Sequence, residues 1–414
     1  MTAICLLLCA AIVQPAQPAA DNSTRFLEVP LRGVFGAEIT APGIRDAIRA
    51  AKSKKAAAVV FTFDTPGGRV LDADAIAAVM DAERSAPGGA DLKYYALITQ
   101  AFSASVWPLS RCDRIFFAPG AAAGAAVAFR ESAKTGNIEV DAKFNAAMAA
   151  SVSAAAESHG QSGVIYRAMM LKDARLFGYK DAAGEYHLSD QPPASDAKDI
   201  EEIDSAATVL AWTTEQAAKY HYGTIATSTD PAALAPLLTL ESWQGQGDLG
   251  ASAMTRWSKE IERKVKETEK AETRIKESRD HVVEVANRIG EQASVAEKAD
   301  PEKGGMPIYY KVGSGTFTPE TQIRWRTQTD TAIREWNTFL SLISDLEKAE
   351  RLASGAVDDY NKARDREFQA RLVTEKIEPV KLEPVKHNLD LKALRKRAND
   401  SISRLSANRG KTRL

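Results

Sequence analysis

Residues Phe61 to Val70 read FTFDTPGGRV and follow the apolar run AAAVV at Ala56 to Val60. Apolar and β-branched residues bounded by turn formers mark a strand of a covered sheet. Pro66 stops that strand, and Gly67 and Gly68 let the backbone turn sharply or take positive φ. Two readings of the turn are open. One is a plain connection from strand to helix. The other is a backbone stripped of side chains so that its N–H groups can meet an oxygen anion.

The surrounding sequence alternates in the same way. FLEVPLRGVF from Phe26 to Phe35 is strand-like, and PGIRDAIRAAKSKK opens on Pro42 with Ile44, Ala47, Ile48 and Ala51 on one helical face. LDADAIAAVMDAERSA from Leu71 is a second helix, and KYYALIT from Lys93 and RIFFAP from Arg114 are further strands. This rhythm predicts a mostly parallel, layered α/β domain. A small-residue stretch, APGAAAGAAVAF, follows from Ala118, and then an alanine-rich helix from Lys143 to His159. YKDAAGEYHLSDQPPASD from Tyr179 reads as a hairpin or turn-rich excursion, and LAWTTEQAAKYHYGTIATS from Leu210 resumes the α/β pattern.

Past about Gly250 the pattern changes. Met254, Ile261, Thr268, Ile275, Val282 and Ile289 recur every seven residues among charged ones, which is one seam of a coiled coil. The second seam is mixed, with Trp257, Ala271 and Val285 beside Lys264 and Ser278. After a turn-rich insert, ADPEKGGMPIYYKVGSGTFTPE, a second helix places Trp336, Phe339, Ile343, Leu346, Ala353, Val357 and Tyr360 on one face. Two long helices and one loop read most simply as an antiparallel hairpin. The expected division is therefore a leader over 1–20, an α/β domain over 21–250 and a helical region over 251–414.

With 414 residues, 44 % of them hydrophobic, the chain has material for two or three domains and a real core. Its formal net charge of −1 excludes a nucleic-acid footprint for the whole. The basic exception is Lys392 to Leu414, with eight Lys/Arg against one Asp, a tail that is solvated or meets a membrane surface. MTAICLLLCAAIVQPAQPAAD has the layout of a secretory signal cleaved near Ala20, so export to the periplasm or cell envelope is expected. Cys5 and Cys9 leave with such a signal, and Cys112 alone then permits no intrachain disulfide.

The residues that carry chemistry gather around the opening stretch. KYYALIT leads into QAFSASVWPLSRCDRIFFAPG, so Ser103 stands directly after a buried strand at the start of a short helix, as an N-cap or as a nucleophile. DTPGG lies upstream, APGAAAGAA downstream, and Lys143 forty residues further on. Together these residues resemble the NfeD family of serine proteases, relatives of signal peptide peptidase A in the ClpP/crotonase superfamily. The resemblance covers about Phe26 to Leu240, and LAWTTEQAAKYHYGTI looks like a further family segment. It implies Ser103 as nucleophile, Lys143 as general base, and an oxyanion hole from the N–H groups of Gly67 or Gly68 and of Ala104. The sequence departs from the family at Phe102, at Ser105 where a glycine is expected, and at Pro108 within the following helix.

A serine–lysine pair needs a neutral amine, which an apolar pocket and a helix start both favour. The competing Ser-His-Asp arrangement lacks its histidine: none lies between Ser103 and His159, which reads as a helix cap. The five histidines show no metal spacing, and GSGTF at Gly313 to Phe317 lacks the lysine of a phosphate loop, so no metal or cofactor is expected. The resulting expectation is an exported, ATP-independent serine endopeptidase that cuts hydrophobic or membrane-associated segments and works as a homo-oligomer. Two rivals stand beside it. One is an inactive scaffold that binds a partner through its helical arm. The other is a crotonase-like acyl-thioester enzyme, which an exported location argues against.

Overall fold

The computed structural model describes residues 24–127, 138–205, 208–371 and 381–413. The leader read in residues 1–20 lies outside them. The chain divides into two compact units, Met1–Ser258 and Lys259–Leu414.

In the first unit β1 (Thr24–Phe35), α1 (Ala41–Ser53), β2 (Ala58–Gly68), α2 (Val70–Ser85) and β3 (Lys93–Phe102) follow the expected alternation. Next come α3 (Val106–Leu109), β4 (Arg114–Gly124), α4 (Ile138–Ser158) and α5 (Gly163–Met170). Three strands follow, β5 (Leu176–Lys180), β6 (Tyr186–Ser189) and β7 (Lys198–Asp204). The chain then returns through β8 (Ala211–Thr213), α6 (Thr214–Lys219), β9 (Thr224–Ile225) and β10 (Trp243–Gly245). The main sheet has the order β10-β1-β2-β3-β4-β8, with β9 also on β4. β1 to β4 are parallel throughout, and β8 is antiparallel. This is the expected layered α/β architecture.

Local sequence explains the elements. Val59, Val60, Phe61 and Phe63 are at most 1 % exposed, as a parallel strand covered on both faces requires. α1 starts where the Thr40 hydroxyl accepts the Gly43 N–H at 3.3 Å, and Ile44, Ala47, Ile48 and Ala51 all turn into the core. α1 and α2 are joined by Glu83, whose carboxylate accepts from Arg49 Nε and Lys52 Nζ, each at 2.7 Å. Burial raises the Glu83 pKa, but those two bonds outweigh it and hold the carboxyl below its ordinary value. The excursion after α5 is a small antiparallel sheet, β6-β5-β7, in which β5 and β6 form the expected hairpin.

α7 (Leu249–Ala299) gives its first turns to the first unit. There Trp257 Nε1 donates to Asp46 Oδ2 at 2.7 Å, and Met254 is buried. The rest of α7 belongs to the second unit with α8 (Pro319–Arg371) and α9 (Leu391–Asn408). Every member of the first heptad seam is buried, as is the whole predicted face of α8. Ile275 packs with Val357 and Tyr360, while Val282 to Ala296 pack with Ala332 to Ala353, so the helices run antiparallel.

The basic tail is a third helix of this unit. Ala398 and Leu405 of α9 are buried in the α7–α8 core, and Asp390 caps its start by accepting the Ala393 N–H at 3.0 Å. Arg395 pairs with Glu347, Arg397 with Glu297, Arg404 with Asp300 and Glu302, Arg409 with Asp330 and Lys411 with Glu302. The positive charge that sets this segment apart in the sequence is thus largely matched by acids of the same unit. A spacing of Leu391, Leu394, Ala398, Ile402 and Leu405 announces the helix, and the density of charge hides it.

Candidate active site

In an open parallel sheet the strand C-termini meet at one edge, where ligands bind. Here that edge is made by the ends of β2, β3 and β4. β3 pairs on one side through Ala101 with Thr65, and on the other through Phe102 with Gly124. Ser103 is the next residue.

Ser103 takes φ +55°, a left-handed conformation that L-residues other than Asn and Asp seldom adopt. It opens a 3₁₀ turn, Ser103–Ser105, that runs straight into α3. No capping bond is made by its side chain, and Ser103 Oγ has no hydrogen-bond partner among the described residues. The N-cap reading of Ser103 therefore fails. Pro108 falls within this short helix, where a missing N–H removes little. Ser105, where the resemblance leads one to expect glycine, is fully buried, and its Oγ is without a partner among the described residues.

The glycine turn of β2 presses directly on this serine. A Cβ added at Gly67, which has φ +109°, would lie 2.5 Å from Ser103 Cβ and 2.9 Å from the Phe102 carbonyl oxygen. One at Gly68 would lie 2.5 Å from the Phe35 nitrogen. Two backbones and a serine meet where no side chain fits, which is why the turn is bare. Thr65 locks it: its buried hydroxyl donates to the Gly33 carbonyl at 2.6 Å and accepts the Gly67 N–H at 3.0 Å. The Gly67 N–H is thus engaged within the turn, while Gly68 is paired in register with Phe35 of β1.

The APG segment borders the same edge. Between the pairs Ile98–Phe117 and Gln100–Ala122, β3 has one residue and β4 has four, so Ala118 to Ala121 bulge out of the ladder. Thr214 staples the bulge, donating to Ala118 O at 2.8 Å and accepting the Ala121 N–H at 2.9 Å. Sequence reasoning misses Thr65 and Thr214 as positioning residues. A signal for the second exists in TTEQ, where Thr213 and Gln216 form a capping box that fixes the start of α6 and so aims Thr214.

Lys143 stands differently. α4 begins at Ile138, so Lys143 lies more than a turn inside the helix and not at its opening, which weakens the dipole contribution expected there. Its side chain is exposed and has no polar partner among the described residues. His159 does cap, its Nδ1 lying 2.8 Å from the Ala155 carbonyl oxygen at the end of α4. Cys112 is fully buried, and burial pushes its thiol far above the ordinary range, away from reactivity.

Residues 43–219 match the family described as NfeD1b, N-terminal domain. No curated protein matches the chain. Among solved structures it is similar to a serine-to-alanine mutant of the 1510-N membrane-bound stomatin-specific protease, at 17 % identity and TM-score 0.36 over 52 % of this chain and 84 % of that one. A lysine-to-alanine mutant of that protease in complex with a substrate peptide is similar at 19 % identity and TM-score 0.37, over 52 % and 80 %. The 1510-N membrane protease specific for a stomatin homolog from Pyrococcus horikoshii is similar at 18 % identity and TM-score 0.33, over 52 % and 78 %.

Proposed function

Residues 43–219 match the NfeD1b N-terminal-domain family, and from that premise we propose that the chain is a serine endopeptidase with Ser103 as its nucleophile. One observation carries the reading: Ser103 is held left-handed at the C-terminal end of β3, its hydroxyl without a partner among the described residues, with Gly67 pressed against it. A non-glycine residue in that conformation costs about 1–3 kcal/mol and survives where a strand-to-helix turn must thrust a hydroxyl outward.

In the proposed reaction Ser103 Oγ attacks a peptide carbonyl carbon. Lys143 takes the hydroxyl proton and returns it to the leaving amine as the C–N bond breaks, and then takes a proton from the water that attacks the acyl ester and gives it back to Ser103 Oγ. The N–H groups of Ala104 and of Gly67 or Gly68 receive the oxyanion, Gly67 once its bond to Thr65 opens. Lys143 works as a base only when neutral, and an amine loses its charge by leaving water. Since it is exposed in the single chain, the working state must cover it, with bound peptide or with a second copy. That requirement is where the expected homo-oligomer enters. Hydrophobic or membrane-associated segments are the substrates we assign, in an exported protein.

Hydrolysis of an apolar fluorogenic peptide tests this. Ser103→Ala should lower turnover on the order of 10⁴-fold or more with the fold intact. Lys143→Ala should do the same, without rescue by Lys143→Arg, because a guanidinium stays charged. Turnover unchanged in Ser103→Ala removes the nucleophile and the proposal with it. A second reading, the inactive scaffold, is favoured by the exposure of Lys143 and by Ser105 in the glycine position. It predicts no hydrolysis by the unaltered chain at any protein concentration.

A further inference from the structure

The insert between α7 and α8 is an ordered hairpin with an apolar tip. Lys311 N–H donates to Thr316 O at 2.7 Å and Thr318 N–H to Tyr309 O at 2.9 Å, closing a turn over Val312 to Gly315. Gly313 and Gly315 take φ +77° and +62°, as so tight a reversal requires. The base of the hairpin is anchored by a small core of Met306, Phe317 and Trp325, with Phe317 and Trp325 ring centroids 5.6 Å apart. The Tyr309 N–H donates to Thr321 Oγ1 at 3.1 Å, which ties the hairpin to the first turn of α8.

With the base fixed, the tip points apolar groups at solvent. Val312 is fully exposed at 104 %, and Tyr309 and Tyr310 are 56 % and 44 % exposed. Tyr310 keeps one side of its ring against Phe317, with centroids 5.7 Å apart. From Lys303 to Pro319 the chain carries two lysines and no acid, and of the two Lys303 pairs with Glu297 at 3.4 Å. The two flanking acids are paired, Glu302 with Arg404 and Lys411 and Glu320 with Arg324. The Lys311 side chain, beside Val312, has no partner among the described residues.

We propose that this hairpin is a membrane-docking tip that seats Val312, Tyr309 and Tyr310 in the interfacial layer of an anionic lipid bilayer, with Lys311 at the headgroups. Tyrosine suits that layer because its ring is apolar and its hydroxyl wet, and lysine reaches anionic headgroups along an apolar stem. Three side chains on one turn are too few for a stable protein interface, which takes about 800 Å² from each partner. A bilayer sets no such minimum. No helix among the described residues is long and apolar enough to cross a membrane. Five of the eight cations from Lys392 to Leu414 are already paired with acids of the same unit.

Sedimentation of the full chain with lipid vesicles tests the proposal. The unaltered protein should bind vesicles containing phosphatidylglycerol and bind pure phosphatidylcholine vesicles less. Lys311→Glu should lower the anionic-vesicle partition by about fivefold or more, and Val312→Asp by about tenfold or more. Both sites are exposed, so the helical circular dichroism should not change. Binding to neither vesicle overturns the proposal, as does equal binding by Val312→Asp and the unaltered chain. It is also overturned if vesicles are ignored and Val312→Asp instead lowers the mass in solution, which would assign the tip to contact with another copy.

Discussion

The two units bury apolar surface by different rules. In the α/β unit, fully buried side chains such as Phe61, Phe63 and Phe116 come from strands that pair across long stretches of sequence, and the candidate site lies where three strand ends meet. In the helical unit a seven-residue repeat supplies the seam, and each turn of helix meets a similar turn opposite. A residue at the sheet edge therefore answers to neighbours far away in the chain. One in the seam answers mainly to its own period. The lesson is that equal substitutions should act with different size, and even opposite sign, in the two units.

The hardest test of that separation is Trp336→Ala. Trp336 is 1 % exposed and lies edge-on to Phe339 at 5.3 Å, so its removal should cost the helical unit about 3–5 kcal/mol. Thermal unfolding followed by circular dichroism should show the helical transition moving down while the sheet transition stays. A common shift of both would merge the units into one cooperative block.

Truncation sharpens where the boundary falls. A chain ending at Ser258 should keep the α/β unit folded, whereas one ending at Gly250 loses buried Met254 and the Trp257–Asp46 bond. The shorter chain should be less stable by about 2–4 kcal/mol in urea. Equal midpoints would move the boundary back to 250.

Glycine-to-alanine substitutions should change sign between the units. Gly67→Ala should destabilise by about 1–3 kcal/mol, because its φ is +109° and Ser103 Cβ would be 2.5 Å away. Gly355→Ala, in the middle of α8 with nothing within 4 Å, should stabilise by about 0.5–1 kcal/mol. Denaturation midpoints shifted in the same direction would break the comparison.

The smallest effect is acid sensitivity. Burial raises the Asp46 and Glu83 pKa values, but hydrogen bonds from Trp257 and Arg45 to the first, and from Lys52 and Arg49 to the second, hold both below their ordinary values. A carboxylate depressed in the folded state adds stability above its unfolded pKa, about 4, and loses it as pH falls through the folded value. Asp46→Asn and Glu83→Gln should each flatten that loss by under about 1 kcal/mol, measured as urea midpoints between neutral and acid pH. An unchanged pH profile would show these pairs to be neutral.

Much of the fold is legible in the amino-acid sequence. The βαβα alternation, the buried face of α1 and the first seam of α7 all follow from period and composition, because each is a local property of ten to twenty residues. The hairpin in the excursion after α5 is visible for the same reason. α9 escapes such a reading because its charge outweighs its apolar spacing to the eye, although burial of Ala398 and Leu405 decides its place. Lys143 reads as the opening of a helix, and the extra turn from Ile138 moves it inward.

By itself the amino-acid sequence determined most of the strands and helices and that Gly67 sits in a sharp turn, since backbone sterics and burial periodicity are written residue by residue. Only the tertiary structure decided what Gly67 makes room for. The left-handed Ser103, the Thr65 lock to Gly33 and the Thr214 staple on the 118–121 bulge join residues 32 to 96 positions apart. Such contacts exist only after the parallel sheet has brought its strand ends together, and no local preference encodes a distance between chain segments that remote.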